Sequence, residues 1–225
     1  MCRPLKAYAV LELDECTGDI YFATRRIAAH KAGANDHGDG ELSYVQCRRE
    51  AWADQYAETG VPARAAVEHG WNFECFGCGV RIDSDLEEEH GLPTRDVCGF
   101  VSGRVYCCPR CKWRDMKRRS REEAKKAAAI ADFKQIVVTR FPDAQFEDAD
   151  GKPYQHHAYV SHHHGTGHWQ REQVIINFGF PGMKIGSAAF RMDSPHRIGP
   201  PYAGYTCCSG DREAFEAWAG TGGSK

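Results

Sequence analysis

Two cysteine pairs, Cys75-x2-Cys78 and Cys108-x2-Cys111, are the residues whose type and spacing most directly imply chemistry. A Cys-x2-Cys turn sets two sulfurs on one side of a tight knuckle, and two such turns make the tetrahedral thiolate cage that suits Zn²⁺. Gly77 and Gly79 relieve the crowding of the first turn. Cys111 falls at the start of a helical pattern, where the helix dipole favours a thiolate. Cys107 stands directly before Cys108, so either is able to supply the third sulfur. In extended chain the two point to opposite faces, and the two-residue spacing favours Cys108. Four sulfurs fill the coordination sphere of zinc and leave no open position, so the expected site is structural.

Composition narrows the setting. The 225 residues hold eleven cysteines, an odd number, which argues against a complete disulfide framework and favours metal ligation. No run approaches the roughly 20 apolar residues that a membrane-spanning helix needs. The first residues, Met1 to Lys6, lack the apolar block of a signal peptide, so a cytoplasmic location is expected. A net charge of −2 excludes a polycation as a whole, but charge is uneven. Residues 110–126 hold nine basic and three acidic side chains inside an otherwise acidic chain. There Arg114, Lys117, Arg118 and Arg121 are the candidates for phosphate contact, a salt-dependent and largely sequence-independent grip. Nearby Trp113 and Tyr106 are candidates for stacking on bases. Competing readings of the same block are a solvated helix face, with Glu122 and Glu123 pairing to Lys125 and Lys126, and docking onto the acidic segment 83–89 or a protein partner.

A histidine tract forms a third cluster. His156, His162, His164 and His168 would make a second, partly open metal site if a turn at Gly165-Thr166-Gly167 folded them together. The bland alternative is a histidine-rich surface loop. No Gly-x-Ser-x-Gly elbow and no His-x-Glu motif is present, so nucleophilic hydrolase and zinc-deaminase chemistry have no positive support, and a non-catalytic role is expected.

The elements that must position these residues read as an α+β fold in three segments. Residues 1–70 form a small mixed unit, with strands at Ala7–Leu13, Ile20–Ala23 and Glu41–Arg48. Its helices are expected at Arg25–Ala32, stopped by Gly33, then at Glu50–Glu58 and Pro62–Glu68. Residues 71–135 hold the zinc module: a knuckle, an acidic loop, a hairpin from Val97 to Cys107 turned at Ser102-Gly103, and a long helix. From Lys112 to about Gln135 no Gly or Pro occurs, giving a helix roughly 35 Å long with Trp113, Met116, Ala124, Ala127 and Ala131 near its inner face. Residues 136–225 are β-rich, with strands over 173–180 and 184–192 and a terminal helix over 211–219.

The order knuckle, hairpin, then helix carrying the last ligand resembles the treble-clef zinc finger. Phe73-Glu74-Cys75-Phe76-Gly77-Cys78 and Arg104-Val105-Tyr106-Cys107-Cys108-Pro109-Arg110-Cys111-Lys112 carry the resemblance. It implies a structural zinc at the hairpin–helix junction and covers residues 71–135 only. HNH-type nucleases set a catalytic metal beside such a helix, but their histidines lie within the clef, and here only His90 lies between the knuckles. In style the chain resembles accessory proteins of phages and mobile elements. The expected role is therefore a zinc-stabilised nucleic-acid-binding or regulatory accessory protein. A metal-dependent enzyme built on the histidine tract and a protein-interaction adaptor are the alternatives.

Overall fold

In a computed structural model the described residues are 3–14, 17–162, 169–194 and 202–221. They form an α+β fold in two compact units, Met1–Lys117 and Arg118–Lys225. The boundary between the units falls inside the long helix, within the 71–135 segment expected from the sequence.

In the first unit, strand β1 (Lys6–Glu12) lies between β2 (Gly18–Ala23) and β3 (Val45–Arg49), antiparallel to both. Ala7, Tyr8, Ala9 and Val10 are consecutive and all buried, because β1 is covered on both faces. One face packs with Ala29 and Ala34 of helix α1 (Arg26–His37), the other with Ala53, Val61 and Ala66. That is why this strand reads as a continuous apolar run. Helix α1 does not stop at Gly33. A Cβ there would lie 2.4 Å from Val10 Cγ1, so the glycine serves close approach of helix to strand, and the helix continues to His37. Residues 51–56 form a 3₁₀ turn where an α-helix over Glu50–Glu58 was expected. Helix α2 (Ala63–Glu68) follows.

Two short hairpins then build the site. In the first, β4 (Phe73–Glu74) pairs with β5 (Arg81–Ile82). Between them Cys75 receives the amides of Cys78 and Gly79, at 3.3 and 2.8 Å, and donates its own to Val80 at 2.8 Å. Gly79 takes φ +74°, the left-handed conformation this turn needs. Helix α3 (Leu86–His90) carries the acidic run. In the second hairpin Cys98 and Tyr106 exchange backbone hydrogen bonds, and Gly103 closes the turn onto Phe100. Residues 61–63 join this hairpin through Val101 N–H to Val61 and Ala63 N–H to Gly99, both at 3.0 Å. The small mixed unit and the cysteine region thereby share their backbone bonding.

Helix α4 (Pro109–Arg140) is longer than expected, and its phase differs from the expected one. Its buried residues are Cys111, Asp115, Ala129, Phe133 and Val137. Trp113 and Met116 are 59% and 51% exposed, and Ala124, Ala127 and Ala131 are exposed as well. The reason is geometric. Cys111 must turn inward to the other sulfurs, and residues at successive turns follow it on that face.

The second unit is a meander, β6 (His157–His162), β7 (Trp169–Phe178), β8 (Ala188–Asp193) and β9 (Tyr202–Thr206), antiparallel throughout. Phe133, Val137 and Phe141 pack with Val174, Ile176, Phe178 and Phe190 of the sheet and with Phe215 and Trp218 of helix α5 (Arg212–Thr221). Before α5, the buried Asp211 accepts the backbone N–H groups of Lys184, Ile185 and Gly186 at 2.8–3.0 Å, closing the loop between β7 and β8.

Candidate metal centre

Four sulfurs from the two ends of the hairpin region converge. The Sγ atoms of Cys75, Cys78, Cys107 and Cys111 all lie within 4.8 Å of one another. Cys107 Sγ is 3.7 Å from that of Cys78 and 3.6 Å from that of Cys111. A metal–sulfur bond of about 2.3 Å in tetrahedral geometry gives sulfur–sulfur edges of about 3.8 Å. A disulfide needs about 2.05 Å, and the cysteines described here are free. The donor set therefore fits one thiophilic cation.

Local structure explains how they meet. Phe76 N–H donates to Val105 O at 3.0 Å, pinning the knuckle to the strand that leads to Cys107. A Cβ on Gly77 would lie 2.6 Å from Cys111 Cβ, so only glycine lets the knuckle rest on the first turn of α4. Cys75 Sγ accepts N–H groups from Cys107 and Gly77 at 3.3 and 3.4 Å. Burial raises the Cys75 thiol, but these amides and that of Cys78 together outweigh it and hold Cys75 below the ordinary cysteine range. Burial drives Cys107 far up and Cys111 up to about 12 when no cation is present. A bound dication inverts that balance, because a coordinating thiol is deprotonated outright.

The third sulfur comes from Cys107, the alternative to Cys108. Cys107 is 1% exposed and directly follows Tyr106, the bridge residue of the second hairpin. Cys108 is the next residue, half-buried, and its carbonyl accepts the first α4 amides, those of Cys111 and Lys112. Its sulfur lies 3.9 Å from that of Cys107 but outside the group of four. The spacing is thus Cys-x2-Cys with Cys-x3-Cys, the last two sulfurs one helical turn apart.

Sequence reasoning missed Asp115, whose side chain is fully buried one turn beyond Cys111. It accepts Tyr106 Oη at 2.7 Å and Arg104 Nη1 at 3.0 Å, locking the second hairpin to α4. An aspartate four residues after a ligand cysteine was the available signal. Tyr106 is thereby buried and spoken for, while Trp113 stays outside with Lys117 Nζ 4.6 Å from its ring centroid.

Arg114, Lys117, Arg118 and Arg121 are all exposed on α4. At about 100° per residue Arg114, Lys117 and Arg121 share a flank with Arg110, to one side of the Cys111–Asp115 face, while Arg118 and Lys125, seven and fourteen residues after Cys111, fall nearer that face. Arg110, Arg114, Lys117, Arg121 and Lys125 have no ion-pair partner among the described residues. Glu122 and Glu123 both pair with Lys126, on another face. Within the acidic segment 83–89, Asp83 pairs with Arg81 at 2.8 Å.

The histidines separate. His156 precedes β6 and His162 ends it, roughly 20 Å apart along an extended strand. Burial, then the nearby Lys134, lowers His156 to about 4. Its Nδ1 accepts Asn177 N–H at 3.3 Å, and its ring meets Phe146 edge-on. His162 packs edge-on with Trp169. His164 and His168 lie outside the described residues.

No protein-family model matches this chain, and no curated protein or solved structure matches it either. No described helix is long and apolar enough to cross a membrane.

Proposed function

We propose that this is a zinc-stabilised, non-catalytic nucleic-acid-binding accessory protein, in which a treble-clef-like module seats a basic helix. The observation that carries the reading is the convergence of four sulfurs beneath the first turn of α4, from which an exposed basic flank runs outward. Cys75, Cys78, Cys107 and Cys111 would hold the zinc, whose contribution is to neutralise the thiolates and cross-link the knuckle to the helix. Asp115 completes the clamp through Tyr106 and Arg104. With four protein sulfurs on the ion, no position is left for water or substrate, so the metal is structural. Arg114, Lys117, Arg118 and Arg121 then meet phosphate, and the grip depends on charge more than on base sequence.

A gel-shift titration on duplex and single-stranded probes tests the reading. Binding at about 50 mM salt should weaken steeply toward about 200 mM, and changing the four basic residues to alanine should abolish it. No binding at low salt, or binding unaltered by the four substitutions, rejects it. A protein adaptor would give the first of those results.

A further inference from the structure

We propose that Trp113 is a base-stacking platform, so that the ligand of α4 is a single strand of nucleic acid; the inference rests on the reading of α4 as a phosphate-binding helix. Trp113 lies opposite the Cys111–Asp115 face, 59% exposed, although tryptophan is among the residues most buried on average. Met116, three residues on, is 51% exposed, so indole and thioether form an apolar spot on an otherwise charged helix. Arg110, Arg114 and Lys117 frame that spot at helical spacing and lack ion-pair partners among the described residues. The Lys117 ammonium sits over the indole ring, holding a cation beside an aromatic face.

An exposed aromatic ring among unneutralised cations matches a strand that offers phosphate and an open base face together. A duplex keeps its base faces stacked inside the helix; an unpaired strand presents them. Tyr106, the other aromatic candidate, is excluded because it is buried and bonded to Asp115. Phosphate would engage Arg110, Arg114 and Lys117, while one base stacks on the indole. Such stacking tolerates any base, so the expected preference is for strandedness and not for sequence.

The test compares three fluorescent probes on the full, zinc-loaded chain: an oligothymidylate of about twelve nucleotides, a duplex of equal length and inorganic polyphosphate. Trp113→Ala should weaken the oligothymidylate about tenfold or more and leave polyphosphate within about twofold, while Trp113→Phe retains most of the affinity. Zinc content and circular dichroism confirm that the exposed substitutions leave the fold intact. Equal losses on all three probes, or none on the single strand, overturn the stacking role while leaving the basic helix standing. A duplex bound more tightly than the single strand, with Trp113→Ala neutral, overturns it in favour of backbone-only binding. If none of the probes binds, the stacking role and the function it rests on fall together.

Discussion

The two units of this chain are held together by different physics. Around α4's second half and the four-stranded sheet, Phe133, Phe141, Phe178, Phe190, Phe215 and Trp218 pack ring against ring, with Phe141 and Trp218 centroids 4.6 Å apart. Among the described residues the cysteine unit shows no comparable aromatic cluster. Its interior is divided among small clusters in which Tyr8, Ile20, Ile82, Leu86 and Tyr106 join alanines, valines and cysteines, and the Asp115 carboxylate is buried beside them. Aromatic burial contributes in proportion to area and tolerates imprecision. A sulfur cage and a buried hydrogen-bonded aspartate contribute only when geometry is right, and fail abruptly when one member is lost. The lesson is that the part of the molecule carrying the candidate metal centre is the part that relies least on aromatic packing.

Removing the metal should break the comparison most visibly. Chelation, or Cys107→Ala, should abolish hydrogen-exchange protection over residues 73–111 while β7 and β8 stay protected. Structural zinc sites contribute on the order of 10 kcal/mol, comparable with the whole stability of a typical domain. Retained protection with zinc absent would show that the small clusters suffice alone. The reciprocal change, Phe178→Ala, should cost about 3–5 kcal/mol in the aromatic core and leave zinc stoichiometry untouched, as urea melts with parallel metal analysis would report. Asp115→Ala should cost about 2–3 kcal/mol by stranding the Tyr106 hydroxyl and the Arg104 guanidinium, with Asp115→Asn recovering part of it; thermal melting at fixed zinc measures both.

A pH titration sharpens the second unit. Burial raises the Asp211 carboxyl, but three backbone amides and the Cys208 thiol outweigh it and hold the group at about 2, against an ordinary 3.8. A depressed pKa stabilises the fold above the unfolded value, and that stability drains as pH falls from about 3.8 to about 2. Asp211→Asn should therefore lower the β7–β8 loop's protection at pH 7 and remove most of its pH dependence between about 4 and about 2. The smallest effect is reserved for Cys108→Ala, which should leave one zinc per chain and near-native stability. Loss of zinc in that variant would return the third ligand to Cys108.

Much of this was legible in the residues. Strands β1, β2 and β7, the terminal helix, the knuckle at Cys75 and Cys78, and the basic block all follow from short-range patterns: apolar runs, tight-turn glycines and helix formers in succession. What was not legible was direction. Cys107 and Cys108 are adjacent and chemically identical, and which one faces inward depends on where the hairpin strand ends. Gly33 looked like a helix stop and is instead a contact point with Val10, a partner distant in sequence.

The sequence by itself determined that four sulfurs and a long cationic helix belong together, because Cys-x2-Cys turns and helix propensity are local properties of the chain. Only the tertiary structure decided the rotation of that helix. Contact between Gly77 and Cys111 sets Cys111 inward, Asp115 follows one turn later, and Trp113 is thereby turned out among the cations. Helical phase is fixed by tertiary contacts such as these, and nothing in a one-dimensional pattern of apolar residues records which they are.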